Sequence, residues 1–393
     1  MISQSYCTGC GSCSVACPAH CITMVQNRLG QLIPKVNASQ CLNCGICVKT
    51  CPQNNVLPER EPMDCYAAWS TNKEDYIYSA SGGVAAGFAR FQLEHNGAVY
   101  GCDYDEAANL HHFRLRDAVD INRMQSSKYS QSSAYVCFSE VKELLEKQTS
   151  VVFIGTPCQV AGLLCFLKKD YPSLTTIDLV CHGAPPNRYL KQHLFESKLN
   201  VPFQKIRFRG EFDQMLTVWK DNEIVYQKDR TTDSYFIAFY QNMISYDSCY
   251  FCQYAQSKRV SDITIGDFWG LGELKGIDRL SMRPSLILVN TEKGQRFFDN
   301  VRNNLIFERR EVSEGINGNG RLNHPPGKSR DAKLFQFFYQ SKVLGFHNSL
   351  KAVQLTRKTI ILFERLISKA SALKAAILRK TSQIVKKRSS HDS

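Results

Sequence analysis

CTGCGSCSVACP at residues 7–18 and CLNCGICVKTCP at residues 41–52 decide how this chain is read. Each is a C-x2-C-x2-C-x3-C-P run, first as Cys7, Cys10, Cys13 and Cys17, then as Cys41, Cys44, Cys47 and Cys51. Three thiolates on one tight loop can cap three irons of a [4Fe–4S] cubane, and the fourth iron takes its ligand from further away. When such runs come in pairs, the last cysteine of each serves the other cluster. The expected ligand sets are therefore Cys7, Cys10, Cys13 and Cys51 for one cluster and Cys41, Cys44, Cys47 and Cys17 for the other. Zinc favours four tetrahedral ligands, often as two separated pairs, and neither run divides that way. Disulfides belong to oxidising compartments and small secreted scaffolds. Cys21, close behind the first run, reads as a buried packing thiol.

Working outward, 393 residues exceed one ordinary domain, and 43% hydrophobic content is enough for a substantial core. Of 17 cysteines, eight belong to the two runs, and a reduced compartment is expected for the rest. Met1–Tyr6 is short and polar, so no signal peptide is expected. No apolar stretch reaches the roughly 18 residues of a spanning helix. The expected location is cytoplasmic, with peripheral membrane contact left open for the tail. The net charge of +13 is uneven: from Lys351 onward eleven Lys or Arg face only Glu364 and Asp392, giving the tail +9.

The expected fold class is α/β. Residues 1–56 form a two-cluster ferredoxin-type α+β unit, 57–66 a linker, 67–320 a mixed α/β domain with a partly parallel sheet, and 321–393 a basic helical extension. Residues 150–154 and 175–180 read as buried strands, with a helix between them beginning near Pro157, which is a βαβ pattern. Further strands are expected at 98–104, 203–208, 215–220, 223–226, 262–265 and 285–289, and helices at 81–94, 134–147, 233–243, 292–303 and 334–344.

Cys158, Cys181, Cys249 and Cys252 each follow or border an expected strand end. Loops at the C-terminal ends of parallel strands converge on one edge, so these four thiols are candidates for a third [4Fe–4S] cluster. The competing readings are zinc and scattered packing thiols. Ser81, Gly82 and Gly83 open a helix and offer backbone N–H groups to a phosphate. Lys128 adds a cation among hydroxyls, and Gly155 and Thr156 form a second strand-to-helix turn. Together they are candidates for a dinucleotide site, although none matches a Gly-rich fingerprint. His182 is a candidate acid, flavin neighbour or ligand and Asp267 a candidate proton donor, but both read first as hydrogen-bonded turn residues.

SGGVAAG (81–87), SKYSQS (127–132), GTPCQVAGL (155–163), DLVCHGAPP (178–186) and CYFCQYAQSKRVSDITIGDFWG (249–270) resemble the beta subunits of coenzyme F420 hydrogenases and dehydrogenases. The resemblance covers residues 65–310, with the ferredoxin unit fused in front, and leaves out the last 60 or so. It implies an iron–sulfur flavoprotein with FAD and a further [4Fe–4S] cluster, passing electrons between clusters and a two-electron deazaflavin carrier. It also implies that Cys158, Cys181, Cys249 and Cys252 are ligands and that Ser81, Gly82, Gly83, Lys128, Gly155 and Thr156 are flavin-site residues. Similar stand-alone bacterial proteins occur among polysaccharide-assembly genes.

Two functions follow. One is an iron–sulfur flavoprotein oxidoreductase, whose catalytic residues the sequence does not name. The other is a non-catalytic electron-transfer subunit that docks on a separate enzyme. The expected partner is a redox protein or a small-molecule electron acceptor. Nucleic acid is not expected, because the basic tail lacks interleaved aromatics beyond Phe363. In the tail, Val353, Leu355, Ile360, Ile361, Phe363, Leu366, Ile367, Leu373, Ile377, Leu378, Ile384 and Val385 alternate with cations at roughly helical spacing. That pattern fits a helix packed on its own domain, and equally a basic amphipathic helix on an anionic membrane.

Overall fold

The computed structural model describes residues 6–209, 214–273, 283–341, 343–362 and 365–366. In the N-terminal unit, an antiparallel hairpin of β1 (Ile22–Gln26) and β2 (Leu32–Val36) lies between two one-turn helices, Ser12–Val15 and Ile46–Lys49. Beyond it come β3 (Asp64–Ser70), β4 (Ala98–Tyr104), β5 (Leu110–Leu115), β6 (Val151–Gly155) and β7 (Leu174–Leu179). A separate three-stranded antiparallel sheet follows, of β8 (Lys205–Arg207), β9 (Met215–Lys220) and β10 (Glu223–Asp229). β11 (Ile263–Asp267), β12 (Ser285–Val289) and β13 (Leu305–Arg310) then complete an eight-stranded sheet of order β13-β3-β12-β11-β7-β6-β4-β5.

The pairs β4–β6, β6–β7 and β7–β11 are parallel, while β12 is antiparallel to both β11 and β3. Five strands, β3, β4, β6, β7 and β11, therefore point the same way and end on one edge. This is the expected α/β class with a partly parallel sheet. Its central strands are buried on both faces, as covered parallel strands must be. Val152 and Ile154 of β6 join Val84, Phe88 and Phe298 on one face. Val151 and Phe153 join Phe138, Val141 and Leu163 on the other. A third, aromatic core holds Tyr189, Phe208, Tyr235, Phe236, Phe335 and Phe346 around the small sheet.

Several boundaries differ from expectation. The stretch expected as a linker is tied down: Arg60 exchanges backbone hydrogen bonds of 2.9 Å with Arg259, and β3 already begins at Asp64. The helix expected at 334–344 runs Arg330–Gln340, because the Ser329 side chain accepts from the Ala332 amide and starts it early. The next helix buries Phe346, Leu350 and Val353, so the tail begins by packing on its own domain. Phe363, Ile367, Leu373, Ile377, Leu378, Ile384 and Val385 lie outside the described residues.

Two contacts fix the sheet edge that matters below. Gly82 lies so close to β3 and β12 that a Cβ would sit 2.2 Å from the Ala68 carbonyl oxygen and 2.9 Å from the Ser285 nitrogen. Gly82→Ala is expected to destabilise the fold by about 1–3 kcal/mol through overpacking, read as a lower midpoint in denaturant. Arg259 and Asp178 form a buried ion pair of 2.8 Å, their side chains 2% and 0% exposed. Arg259→Met strands the carboxylate and is expected to cost about 3–5 kcal/mol in the same measurement. The double change Arg259→Met with Asp178→Leu should recover much of the loss.

Candidate functional site

The two N-terminal runs fold alike because each has a glycine at the same place. Gly11 (φ 73°) and Gly45 (φ 70°) adopt left-handed conformations and N-cap the one-turn helices that carry Cys13 and Cys47. That turn is strained for any residue with a Cβ. It folds the three-cysteine loop back on itself. All 17 cysteines are free thiols. Burial pushes the Cys7 thiol up to about 11, with Cys10 and Cys51 adding to the rise. Burial also raises Cys13, with Cys10, Cys7, Cys51 and then Cys47 as contributing neighbours. Cys51 thus stands with Cys7, Cys10 and Cys13. Cys17 belongs to a small core with Cys13, Cys21 and Ile22, against which Cys41 and Cys47 pack. Cys21 is buried there, its sulfur 3.4 Å from that of Cys17. Cys44 is exposed.

A second group forms at the sheet edge. Cys158 follows β6 on the first turn of the Pro157–Leu167 helix, and Cys181 follows β7. Cys249 and Cys252 come from the turn around Asp247–Phe251. All four line one cavity, together with Gln131, Thr156, His182, Tyr254 and Arg321. Burial raises Cys158, Cys249 and Cys181, the last to about 11; Cys181, Cys252 and Cys249 add to the rise at Cys158, Cys181 and Cys252 at Cys249, and Cys252 at Cys181. The Arg259 guanidinium opposes it at Cys181 and Cys252. Four soft donors converging beside a buried cation fit a thiolate-held iron–sulfur cluster. Among the described residues, no three His, Cys, Asp or Glu side chains gather tightly enough for a single metal ion. A cubane holds its ligand sulfurs further apart than a single ion does.

The remaining candidates divide between two places. Thr156 caps its helix with Gln159, and its hydroxyl lies 3.2 Å from the Cys158 sulfur, so the Gly155–Thr156 turn belongs to the cysteine cavity. Ser81, Gly82 and Gly83 lie against β3 and β12, three to four strand spacings or roughly 14–19 Å from β6 along the same edge. There, Ser81 hydrogen-bonds Ser285 at 2.8 Å, and Gly83 caps the Val84–Glu94 helix. Lys128 donates at 2.7 Å to the carbonyls of Arg123 and Gln125, at the end of the Val119–Met124 helix. Its ammonium thus caps a helix.

Cations that the sequence reading passed over lie between the two places. Arg209 pairs with Asp267 at 2.6 Å. Burial lowers the His182 pKa, with Arg321 and Arg209 adding to the fall and Asp267 opposing it, so these four groups are neighbours. The Nε atoms of Arg209 and Arg321 are buried without a hydrogen-bond partner among the described residues. Unpaired buried donors fit an anionic group such as a flavin pyrophosphate. Only their place in the fold gathers them: Arg209 follows β8, Asp267 ends β11, and Arg321 sits in a distant turn.

Residues 6–55 match a family described as 4Fe-4S dicluster domain. Residues 148–314 match the family described as the C terminus of the coenzyme F420 hydrogenase/dehydrogenase beta subunit. Among solved structures, a chain of the F420-reducing [NiFe] hydrogenase complex from Methanosarcina barkeri, determined as a xenon derivative, aligns with 16% identity and a TM-score of 0.46. The alignment covers 76% of this chain and 92% of that one. No curated protein matches the sequence. The chain thus joins a 4Fe-4S dicluster domain at residues 6–55 to a region, residues 148–314, that is similar to the C terminus of the coenzyme F420 hydrogenase/dehydrogenase beta subunit.

Proposed function

We propose that this protein is an iron–sulfur flavoprotein oxidoreductase with two [4Fe–4S] clusters in its N-terminal unit, a third on Cys158, Cys181, Cys249 and Cys252, and FAD along the adjoining sheet edge. The observation that carries the reading is the convergence of those four cysteines on one cavity with Arg321 and His182 in its wall. When bound, a flavin pairs the single electrons of the clusters into two-electron chemistry. The protein's part is to hold and orient. Cys7, Cys10, Cys13 and Cys51 would bind one N-terminal cluster, and Cys17, Cys41, Cys44 and Cys47 the other. Arg209 and Arg321 supply the cations for a pyrophosphate, and the helix start at Gly83 supplies amides. Burial lowers the His182 pKa, which favours the neutral imidazole.

Anaerobic purification and reconstitution test the assignment. Full-length protein should hold iron and sulfide for three clusters, and Cys158→Ser should lose one third of the iron. Protein that holds only two clusters' iron counts against the cavity site. Arg209→Gln should lower flavin occupancy several-fold at unchanged iron content, read from absorbance after gel filtration. Equal flavin content in the two proteins would remove Arg209 from the site.

A second reading is an electron-transfer subunit docked on a separate enzyme. It is favoured by the open loop around Cys44, where Leu42 is 68% exposed. A flavin-free but fully clustered protein would select it. The tail supports a further contact. Past its buried start, the helix leaves Leu355 and Leu362 exposed near Arg357 and Lys358. That combination suits an anionic membrane surface. No helix among the described residues is long and apolar enough to cross a membrane. Flotation should show binding to anionic but not neutral vesicles, lost in high salt and lost on deletion of residues 351–393.

A further inference from the structure

The two N-terminal cysteine groups are not equivalent in their surroundings. Hydrogen bonds from the N-terminal unit to the rest of the chain flank Cys7, Cys10, Cys13 and Cys51. Thr8, next to Cys7, accepts through its carbonyl from the Gln131 amide at 3.1 Å, and Gln131 also lines the cysteine cavity. Ser12 donates to the Gly162 carbonyl at 2.7 Å. Pro52, next to Cys51, accepts from Gln253, the neighbour of Cys252, at 3.4 Å. The Leu32 amide donates to the Tyr246 hydroxyl at 2.9 Å. A Cβ on Gly9 would meet the Tyr246 ring at 3.4 Å. The other group looks outward: Val36, Leu42 and Cys44 are exposed.

The Pro157–Leu167 helix joins the inner group to the cavity. Cys158, Gly162 and Cys165 stand at i, i+4 and i+7, on one face. Cys158 lines the cavity at one end of this stripe. At Gly162 a Cβ would lie 2.8 Å from the Cys10 Cβ, 3.2 Å from its sulfur and 2.9 Å from the Ser12 hydroxyl. From Cys158 to Gly162 the helix rises only about 6 Å. The glycine is what lets the N-terminal loop come this near.

On the reading of three clusters above, we propose that the three sites form a line. The Cys7, Cys10, Cys13 and Cys51 site is the intermediate, held against the cavity site by Gly162. The Cys17, Cys41, Cys44 and Cys47 site is the outer one, open to a one-electron carrier. Each transfer along the line moves one electron: one site is oxidised by one and its neighbour reduced by one, and no proton or atom changes place. Gly162 is a positioning residue, and its contribution is distance.

The test uses full-length, anaerobically reconstituted protein reduced with dithionite and examined by electron paramagnetic resonance, with iron content measured on the same samples. Neighbouring reduced clusters split or broaden one another's signals. Cys44→Ser, which removes the outer cluster, should keep the splitting between the two that remain. Cys10→Ser and Cys51→Ser each remove the intermediate cluster by a separate change, and both should leave two superimposed, unsplit signals. Gly162→Leu should weaken the splitting at unchanged iron content, with Gly162→Ala lying between it and the unaltered chain. Persistent splitting in Cys10→Ser and Cys51→Ser, with two clusters' iron retained, would overturn the order while leaving three clusters in place. Undiminished splitting in Gly162→Leu would overturn the positioning role. Unaltered protein holding only two clusters' iron would overturn the three-cluster reading, and the order with it.

Discussion

Everything in the candidate site depends on five strands ending at one edge of a single sheet. Parallel strands cannot be joined by tight turns, so each must leave its C-terminal end through a loop into a covering element. β6 leaves through Thr156 into a helix that carries Cys158, and β7 leaves directly into Cys181 and His182. β11 ends at Asp267, already paired with Arg209. The loop after β3 returns as Ser81–Gly83. Hydrogen-bonded register between β6 and β7, with Gly155 opposite Asp178, therefore sets where Cys158 and Cys181 stand. Side-chain contacts then refine the placement.

The same edge has an electrostatic problem, and the buried ions answer part of it. Thiols in this cavity resist ionisation because burial removes water from the thiolate. Iron needs the thiolate. Arg259 brings a permanent positive charge to the back of the cavity, and Asp178 keeps that charge tolerable inside the protein. Thr264 and the Tyr254 carbonyl accept its remaining donors at 3.2 Å and 2.9 Å. The guanidinium is thus held rigidly rather than left to fold onto the sulfurs. On the proposed reading, loading a cluster in this cavity would release protons, since the buried cysteines start as thiols.

How legible each part was in the sequence follows from how local its cause is. The two N-terminal runs could be read because ligand spacing, turn glycine and helix start all lie within a dozen residues. The four cavity cysteines could be suggested but not brought together, because their approach depends on strand order. Tyr246, Arg209 and Arg321 carried no local signal, and Arg259 stood unmarked inside the 249–270 stretch. The strands that escaped the pattern reading include both sheet edges, β5 and β13. Edge strands bury less, so their alternation is faint. In β5, moreover, one of the buried positions, between Leu110 and Leu115, is a polar residue, His112, which bonds the Ile154 carbonyl at 2.9 Å. Hydrophobic alternation cannot find a strand whose core residue is satisfied by a hydrogen bond. At Gly82 and Gly83 the sequence suggested phosphate binding, and close backbone packing explains the same glycines independently. The two demands are compatible, since a turn pressed onto β3 and β12 holds its helix start in a fixed place.

Fusion of a dicluster unit to this domain needs more than a tether. A flexible linker would let the unit wander, and single-electron exchange between sites is steeply sensitive to separation. Here residues 57–63 are fastened by the Arg60–Arg259 pairing and by the Met63 amide on the Val289 carbonyl at 2.7 Å. Arg259 therefore serves both ends of the problem: its backbone anchors the connection, and its side chain lies behind the cavity cysteines. Ser12, Gln131, Tyr246 and Gln253 then lock the side of the unit that carries Cys7, Cys10 and Cys51. Cys44 and Leu42 stay exposed, where another molecule can meet them. The geometry of attachment thereby gives the unit an inside and an outside, which a symmetric pair of cysteine runs does not have by itself.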